Sequence, residues 1–295
     1  EGAYHGMSDY GLMSLAPKRL ANFPQAVPDS AGIPESVRAN VIVAPYNDFE
    51  ALEGLVTRHK DELAAIIIEP FQRIIPPAPG FLEAVRKLTA DNGIVLIFDE
   101  VVTGFRLAYG GAQAYYGVTP DLCTLGKAIG GGFPLAALGG RADIMAHFDR
   151  GLVGDDGFVM QIGTLSGNPV ASAAGLATLE ILREPGAYER LFATGQKLMD
   201  ALDDTLKRAG IPAVVSGVPS LFDVVFTDRP VTDYRGTFRG NAALAKALNR
   251  ALLERGILKS ESKYYVSLAL TDEDVATTIA AWKDIIPGLK AISRA

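Results

Sequence analysis

The amino-acid sequence predicts an α/β protein: a large domain over residues 1–184 built on a mostly parallel sheet, then a smaller α+β domain over 185–295. Three observations lead there. Short β-branched runs alternate with amphipathic helical stretches as far as Glu184. Those runs are apolar at consecutive positions, the pattern of strands covered on both faces by helices. Beyond Glu184-Pro185-Gly186 the pattern changes to long helices with a few strands between them, and 295 residues suffice for two cores.

The elements follow in order. Val41–Ala44 is the first run, stopped by Pro45, and Asp48 caps a helix to about His59 with Phe49, Leu52, Leu55 and Val56 on one face. Ala64–Ile68 is the second run and ends at Glu69-Pro70. Gln72–Pro79 holds three prolines and reads as a loop. A helix from Gly80 to Asn92 carries Phe81, Leu82, Val85 and Leu88 on its apolar side and stops at Gly93. Ile94–Phe98 is the third run, ending at Asp99-Glu100, and Leu122–Leu125 and Leu135–Leu138 are strands around a glycine-rich turn. Helices are expected over Asn168–Leu182, Tyr188–Ala209 and Asn241–Arg255, strands at Ala213–Val215, Leu221–Phe226 and Tyr264–Leu268, and a last helix opens at Thr271-Asp272-Glu273-Asp274.

Composition narrows the function. Lys+Arg number 28 against Asp+Glu 34, a net charge of -6, which gives no basic excess for meeting nucleic-acid phosphates. One Cys excludes an intrachain disulfide framework and a Cys-cluster zinc site; the three His form no HExxH pair, and no metal site is expected. No apolar run approaches the roughly 18–20 residues that span a bilayer, and no signal peptide is recognisable. A cytoplasmic protein is expected. The chain opens at Glu1 without Met, which suits a fragment, a processed form or part of a longer subunit.

Ligands of open α/β sheets bind beyond the carboxyl ends of the strands, where Glu69, Asp99 and Lys127 stand. A carboxylate at the buried end of Ile94–Phe98 needs a cation or an N–H beside it. Asp99 is therefore either a capping or ion-paired carboxylate or an anion that keeps a proton on a heterocyclic nitrogen, the arrangement pyridoxal-phosphate (PLP) enzymes use. Lys127 stands in Leu125-Gly126-Lys127-Ala128-Ile129-Gly130-Gly131-Gly132. A phosphate-binding P-loop would need Gly at 121 and Ser or Thr at 128, where the chain has Asp and Ala. A desolvated lysine suits Schiff-base chemistry, and a surface lysine is the plain alternative. Gly163-Thr164-Leu165-Ser166-Gly167-Asn168-Pro169 precedes a helix, so it reads as an N-cap with Pro at N1 and as a phosphate site. Cys123 reads as a small buried hydrophobe.

Phe98-Asp99-Glu100-Val101-Val102-Thr103-Gly104-Phe105-Arg106, then Pro120-Asp121-Leu122 through Lys127 and its glycines, then Gly163–Pro169, together resemble the class III PLP-dependent aminotransferases, in the branch of glutamate-1-semialdehyde 2,1-aminomutase. The resemblance implies the fold of type I PLP enzymes. It implies that Lys127 holds PLP as a Schiff base and then moves protons, and that Asp99 pairs with the pyridinium nitrogen. Val101 would lie against one ring face and Tyr4 of Tyr-His-Gly against the other, with His5 a neighbour. Thr164 would reach the cofactor phosphate in the partner subunit of a homodimer with shared active sites. Glu69 would line the site or hold a core ion pair. Val102 suits the aminomutases, whereas Phe71-Gln72 stands where they have Gly-Asn. Amino transfer from an amino acid or amine to a 2-oxo acid is thus preferred, with an aminomutase or racemase, and a non-catalytic fragment, left as alternatives. For a substrate carboxylate, Arg73, Arg106, Arg235 and Arg239 are candidates.

Overall fold

Three of the β-branched runs become parallel neighbours in one sheet of the computed structural model, which describes residues 1–16 and 20–293, with side chains to residue 290 at the C-terminal end. The sheet runs β1 (Ala65–Ile68), β2 (Val95–Glu100), β3 (Leu122–Leu125) and β4 (Ala137–Gly140), in that spatial order. Ile68 pairs with Phe98, and Asp99 with Thr124, both in parallel register; β4 returns antiparallel to β3. The Phe81–Asp91 helix links β1 to β2, burying Phe81, Leu82, Val85 and Thr89, with Gly93 in the left-handed region just past its end.

The strands expected before Glu184 depart from expectation in three places. β4 begins two residues later than the apolar pattern suggests, because Leu125 pairs with Ala137 and the turn between them is longer. β1 is an edge strand with Ala65 and Ile67 exposed, so it is not covered on both faces among the described residues. Val41–Ala44 forms only a bridge from Ile42 to Gln25. Pro24, which faces it, has no N–H to continue a ladder.

Two compact units result: Phe49–Pro70 with Pro79–Pro185, and Glu1–Asp48 with Phe71–Ala78 and Gly186–Ala295. Residues 1–48 and 71–78, placed in the first domain by the sequence, thus group with the C-terminal half. The Arg235 guanidinium grips the Glu1 carboxylate at 2.6 and 2.9 Å, and the Ser216 hydroxyl donates to the Ile74 carbonyl at 2.7 Å. Terminal pairs of this kind, made between segments far apart in sequence, are invisible to periodicity.

The second unit holds antiparallel β5 (Val214–Val218), β6 (Leu221–Val225) and β7 (Tyr264–Tyr265). The Ala187–Ala209, Ala242–Leu253 and Asp272–Ser293 helices pack around one core with Leu202, Phe222, Leu248 and Trp282 at its centre. Tyr264 stacks on Phe222 at 5.0 Å and accepts from the Trp282 indole N–H at 3.2 Å. Thr271 and Asp274 cap the last helix reciprocally: the Thr271 N–H donates to Asp274 at 2.8 Å, and the Asp274 N–H donates to the Thr271 hydroxyl at 3.1 Å. Among the described residues no helix is long and apolar enough to cross a membrane.

Candidate active site

The site starts where β2 ends. Asp99 and Glu100 are the last residues of that strand, so their side chains point to opposite faces. Both are buried, Asp99 at 5% exposure and Glu100 at 0%. Such carboxylates are stable only if donors surround them.

Glu100 is surrounded by the chain that follows it. Its carboxylate accepts from the Thr103 hydroxyl at 3.1 Å, from the Ala112 N–H, and from the Gln113 N–H and side-chain amide at 3.2 and 3.0 Å. Two of these N–H groups belong to the first turn of the Gly111–Tyr116 helix, where orphan donors favour an anion. Gly111, at φ +70°, has to be glycine here, since a Cβ would come within 2.3 Å of the Glu100 carboxylate. Residues 101–110 are therefore a pinned loop.

Asp99 points the other way. One of its oxygens accepts from the Val101 N–H and from the Thr124 hydroxyl, each at 3.1 Å. The Thr124 contact follows from strand register, because Asp99 and Thr124 are direct partners on β2 and β3. One residue past each strand the chains touch again: a Cβ on Gly126 would lie 3.3 Å from Val101 Cγ1. Lys127 comes next. It is in the left-handed region at φ 49°, uncommon for a residue with a side chain, and it opens the tight turn Lys127–Gly130. The Pro169–Arg183 helix packs on that turn, with Gly131 facing Thr178 and the Ala174 carbonyl.

Asp99, Val101 and Lys127 are thus assembled at the carboxyl ends of β2 and β3. Glu69 follows β1 as Asp99 follows Phe98, and it is buried at 6% exposure. Lys127, expected in dry surroundings, is instead exposed, because the described residues around its turn do not enclose it. Thr164 is exposed on a separate turn whose end the structure caps as expected: the Asn168 carboxamide oxygen accepts from the Ala171 N–H at 2.9 Å, with Pro169 in the first helical turn.

Tyr4 and His5 belong to the other compact unit. Their loop is anchored at its start. The Gln72 side-chain amide donates to the Glu1 carbonyl at 2.7 Å, and Arg73 donates to the carbonyls of Gly2 and Leu15. Tyr4 is 43% exposed and His5 half-buried. Two of the four arginines considered for a substrate carboxylate are therefore occupied in holding the fold: Arg73 binds these carbonyls, and Arg235 binds Glu1 and the Ala21 carbonyl. Arg106 donates to the Val102 carbonyl at 3.0 Å. Cys123 is half-buried, and burial pushes its thiol up against the smaller opposing effect of Gln113, so it stays protonated. No group of three or more His, Cys, Asp or Glu is placed to hold a metal ion among the described residues.

The arrangement suits a flat heterocycle carrying an aldehyde: a buried carboxylate to accept from a ring N–H, an apolar side chain close to Gly126, and a primary amine on the turn that follows. The family model for aminotransferase class III matches residues 1–286. The chain belongs to the class III aminotransferases. That family is one of PLP-dependent enzymes, and its fold is the type I α/β fold. Over 287 residues the chain is 45% identical to glutamate-1-semialdehyde 2,1-aminomutase 2 of Brevibacillus brevis, covering 95% of this chain and 65% of that protein. An omega-transaminase from Sphaerobacter thermophilus superposes with a TM-score of 0.88 at 36% identity, over 97% of this chain and 66% of the other. A transaminase with PLP bound superposes at 0.87 with 32% identity, over 100% and 67%. The chain thus spans about two thirds of the length of these relatives.

Sequence reading left two residues at these strand ends without a role. Glu100 was visible beside Asp99, and its burial at a strand end was the signal. Thr124 was legible only through strand register, which needs the pairing of β2 with β3.

Proposed function

We propose that the chain carries the cofactor site of a PLP-dependent enzyme that moves an amino group from an amino acid or amine to a 2-oxo acid. The observation that supports it most is the placement of Asp99, Val101 and Lys127 at two neighbouring strand ends. PLP, when bound, supplies an electron sink for charge left on the substrate carbon. Lys127 would hold the cofactor and carry a proton to and from that carbon. Asp99 keeps a proton on the ring nitrogen. Val101 would lie against one face of the ring. Glu69 lines the substrate side. In this reading residues 1–184 carry the cofactor and 185–295 form the small domain, a division by role that differs from the grouping by compactness.

The protein acts as a cytoplasmic homodimer in which Thr164 binds the cofactor phosphate of the partner subunit. Support comes from the exposed apolar residues around that turn, Val159, Met160, Ile162, Leu165 and Val170. A cluster of this kind on a soluble chain marks an interaction surface. A second reading, an aminomutase that returns the amino group to the same molecule, is supported by the 45% identity to the Brevibacillus protein. A panel of amino donors with and without a 2-oxo acid separates them. Turnover that requires the acceptor supports transfer, sustained turnover of one substrate alone supports the mutase, and no turnover with PLP bound overturns both.

A further inference from the structure

We propose that Thr124 is a positioning residue that sets how firmly Asp99 holds a proton on the cofactor's ring nitrogen. This rests on the reading of Asp99 given above and goes beyond it. Two donors converge on a single Asp99 oxygen, the Val101 N–H and the Thr124 hydroxyl, each at 3.1 Å. The first comes from two residues along the same chain and would be made by almost any side chain at 101. The second crosses from β3 and depends on a hydroxyl at one position, the direct register partner of Asp99.

The last torsion of a carboxylate side chain is broad and twofold. A second donor from a neighbouring strand fixes its plane, so the Asp99 carboxylate meets a ring N–H in one orientation. A hydrogen bond to a charged group is among the stronger ones in proteins. Its loss is felt at the atom that the carboxylate faces. Glu100 reinforces the arrangement from the opposite face, because its donors hold the segment from which the Val101 N–H is presented.

The test compares the full chain with Thr124→Val, Thr124→Ser and Asp99→Asn, each loaded with PLP. Its readout is the pH dependence of the bound cofactor's visible absorption. Valine keeps the β-branched shape that suits a strand and removes only the hydroxyl. Thr124→Val is expected to move the midpoint by about half a pH unit or more and to loosen PLP by roughly tenfold, a change of the size a lost hydrogen bond to a charge produces. Thr124→Ser restores both, and Asp99→Asn moves the midpoint further in the same direction. An unmoved midpoint in Thr124→Val while Asp99→Asn shifts it overturns the role of Thr124 alone, as does an equal shift in the valine and serine variants. An unmoved midpoint in Asp99→Asn removes the reading of Asp99 and this inference with it. Should Thr124→Val not fold, Thr124→Ala against Thr124→Ser makes the same comparison.

Discussion

At the end of β2 the polar groups already have their partners, whereas Lys127, just past β3, and Thr164, on a separate turn, stand in the open. Glu100 takes a hydroxyl, a side-chain amide and two backbone N–H groups, and Asp99 takes a hydroxyl and an N–H. Lys127 and the whole of 161–167 are exposed. The floor of the site is made by strand register and by the loop that follows β2. The rim residues are left exposed by the described residues around them. The difference teaches where substitutions act: removing an acceptor from the floor couples to stability, whereas rim residues act on cofactor binding and turnover.

The largest effect is expected on the rim. Lys127→Ala removes the proposed proton carrier and should lower amino transfer by on the order of 10³-fold or more, leaving the melting temperature nearly unchanged; steady-state kinetics and calorimetry check both halves. Asp99→Asn should cost about 10²–10³-fold in turnover, in the range seen when one preorganised electrostatic partner is lost. It keeps the acceptor oxygen that serves Val101 and Thr124, so stability should change little.

The floor should answer differently. Glu100→Ala leaves the Ala112 and Gln113 N–H groups and the Thr103 hydroxyl without their acceptor, and should destabilise the chain by about 2–4 kcal/mol in urea unfolding. Equal stability of that variant and the parent would break the contrast between floor and rim.

The smaller effects are two. Thr164→Ala should weaken PLP retention by about tenfold or less without altering unfolding. Asp121, at the start of β3, gives the pH test. Burial pushes its carboxyl up, but the Leu96 N–H and the Arg141 and Arg86 guanidinium groups outweigh that and hold it below the usual carboxylate range. Its folded pKa is thus depressed, so its contribution is fully present above the unfolded value of about 4 and is lost as pH falls through the lower folded value. Asp121→Asn should flatten the acid limb of the stability curve; an unchanged limb would contradict the pairing.

How much of this was legible in sequence depended on whether the cause was local. The Phe81–Asp91 helix, with Gly93 past its end, follows from periodicity and a stop signal within a dozen residues. The Asn168 cap and Pro169 were equally local. β4 was misplaced by two residues because its start is set by pairing with Leu125 across a turn. The union of residues 1–48 with the C-terminal half rests on contacts such as Glu1 with Arg235, separated by most of the chain. In the site, Asp99 and Lys127 stood out because a charge at the end of an apolar run and a lysine among glycines are each costly without a reason. Thr124 gave no such signal, being an ordinary strand residue until its partner on β2 is known. The exposure of Lys127 was missed because burial of a loop side chain depends on what packs over it, not on its neighbours in sequence.

The most direct measurement is borohydride reduction of the PLP-loaded protein followed by peptide mapping. Attachment of the pyridoxyl group at Lys127, and its disappearance in Lys127→Ala, is the expected result. A protein that retains PLP yet carries the label on another lysine, or on none, would contradict the assignment of the amine at the end of β3 as the group that holds the cofactor.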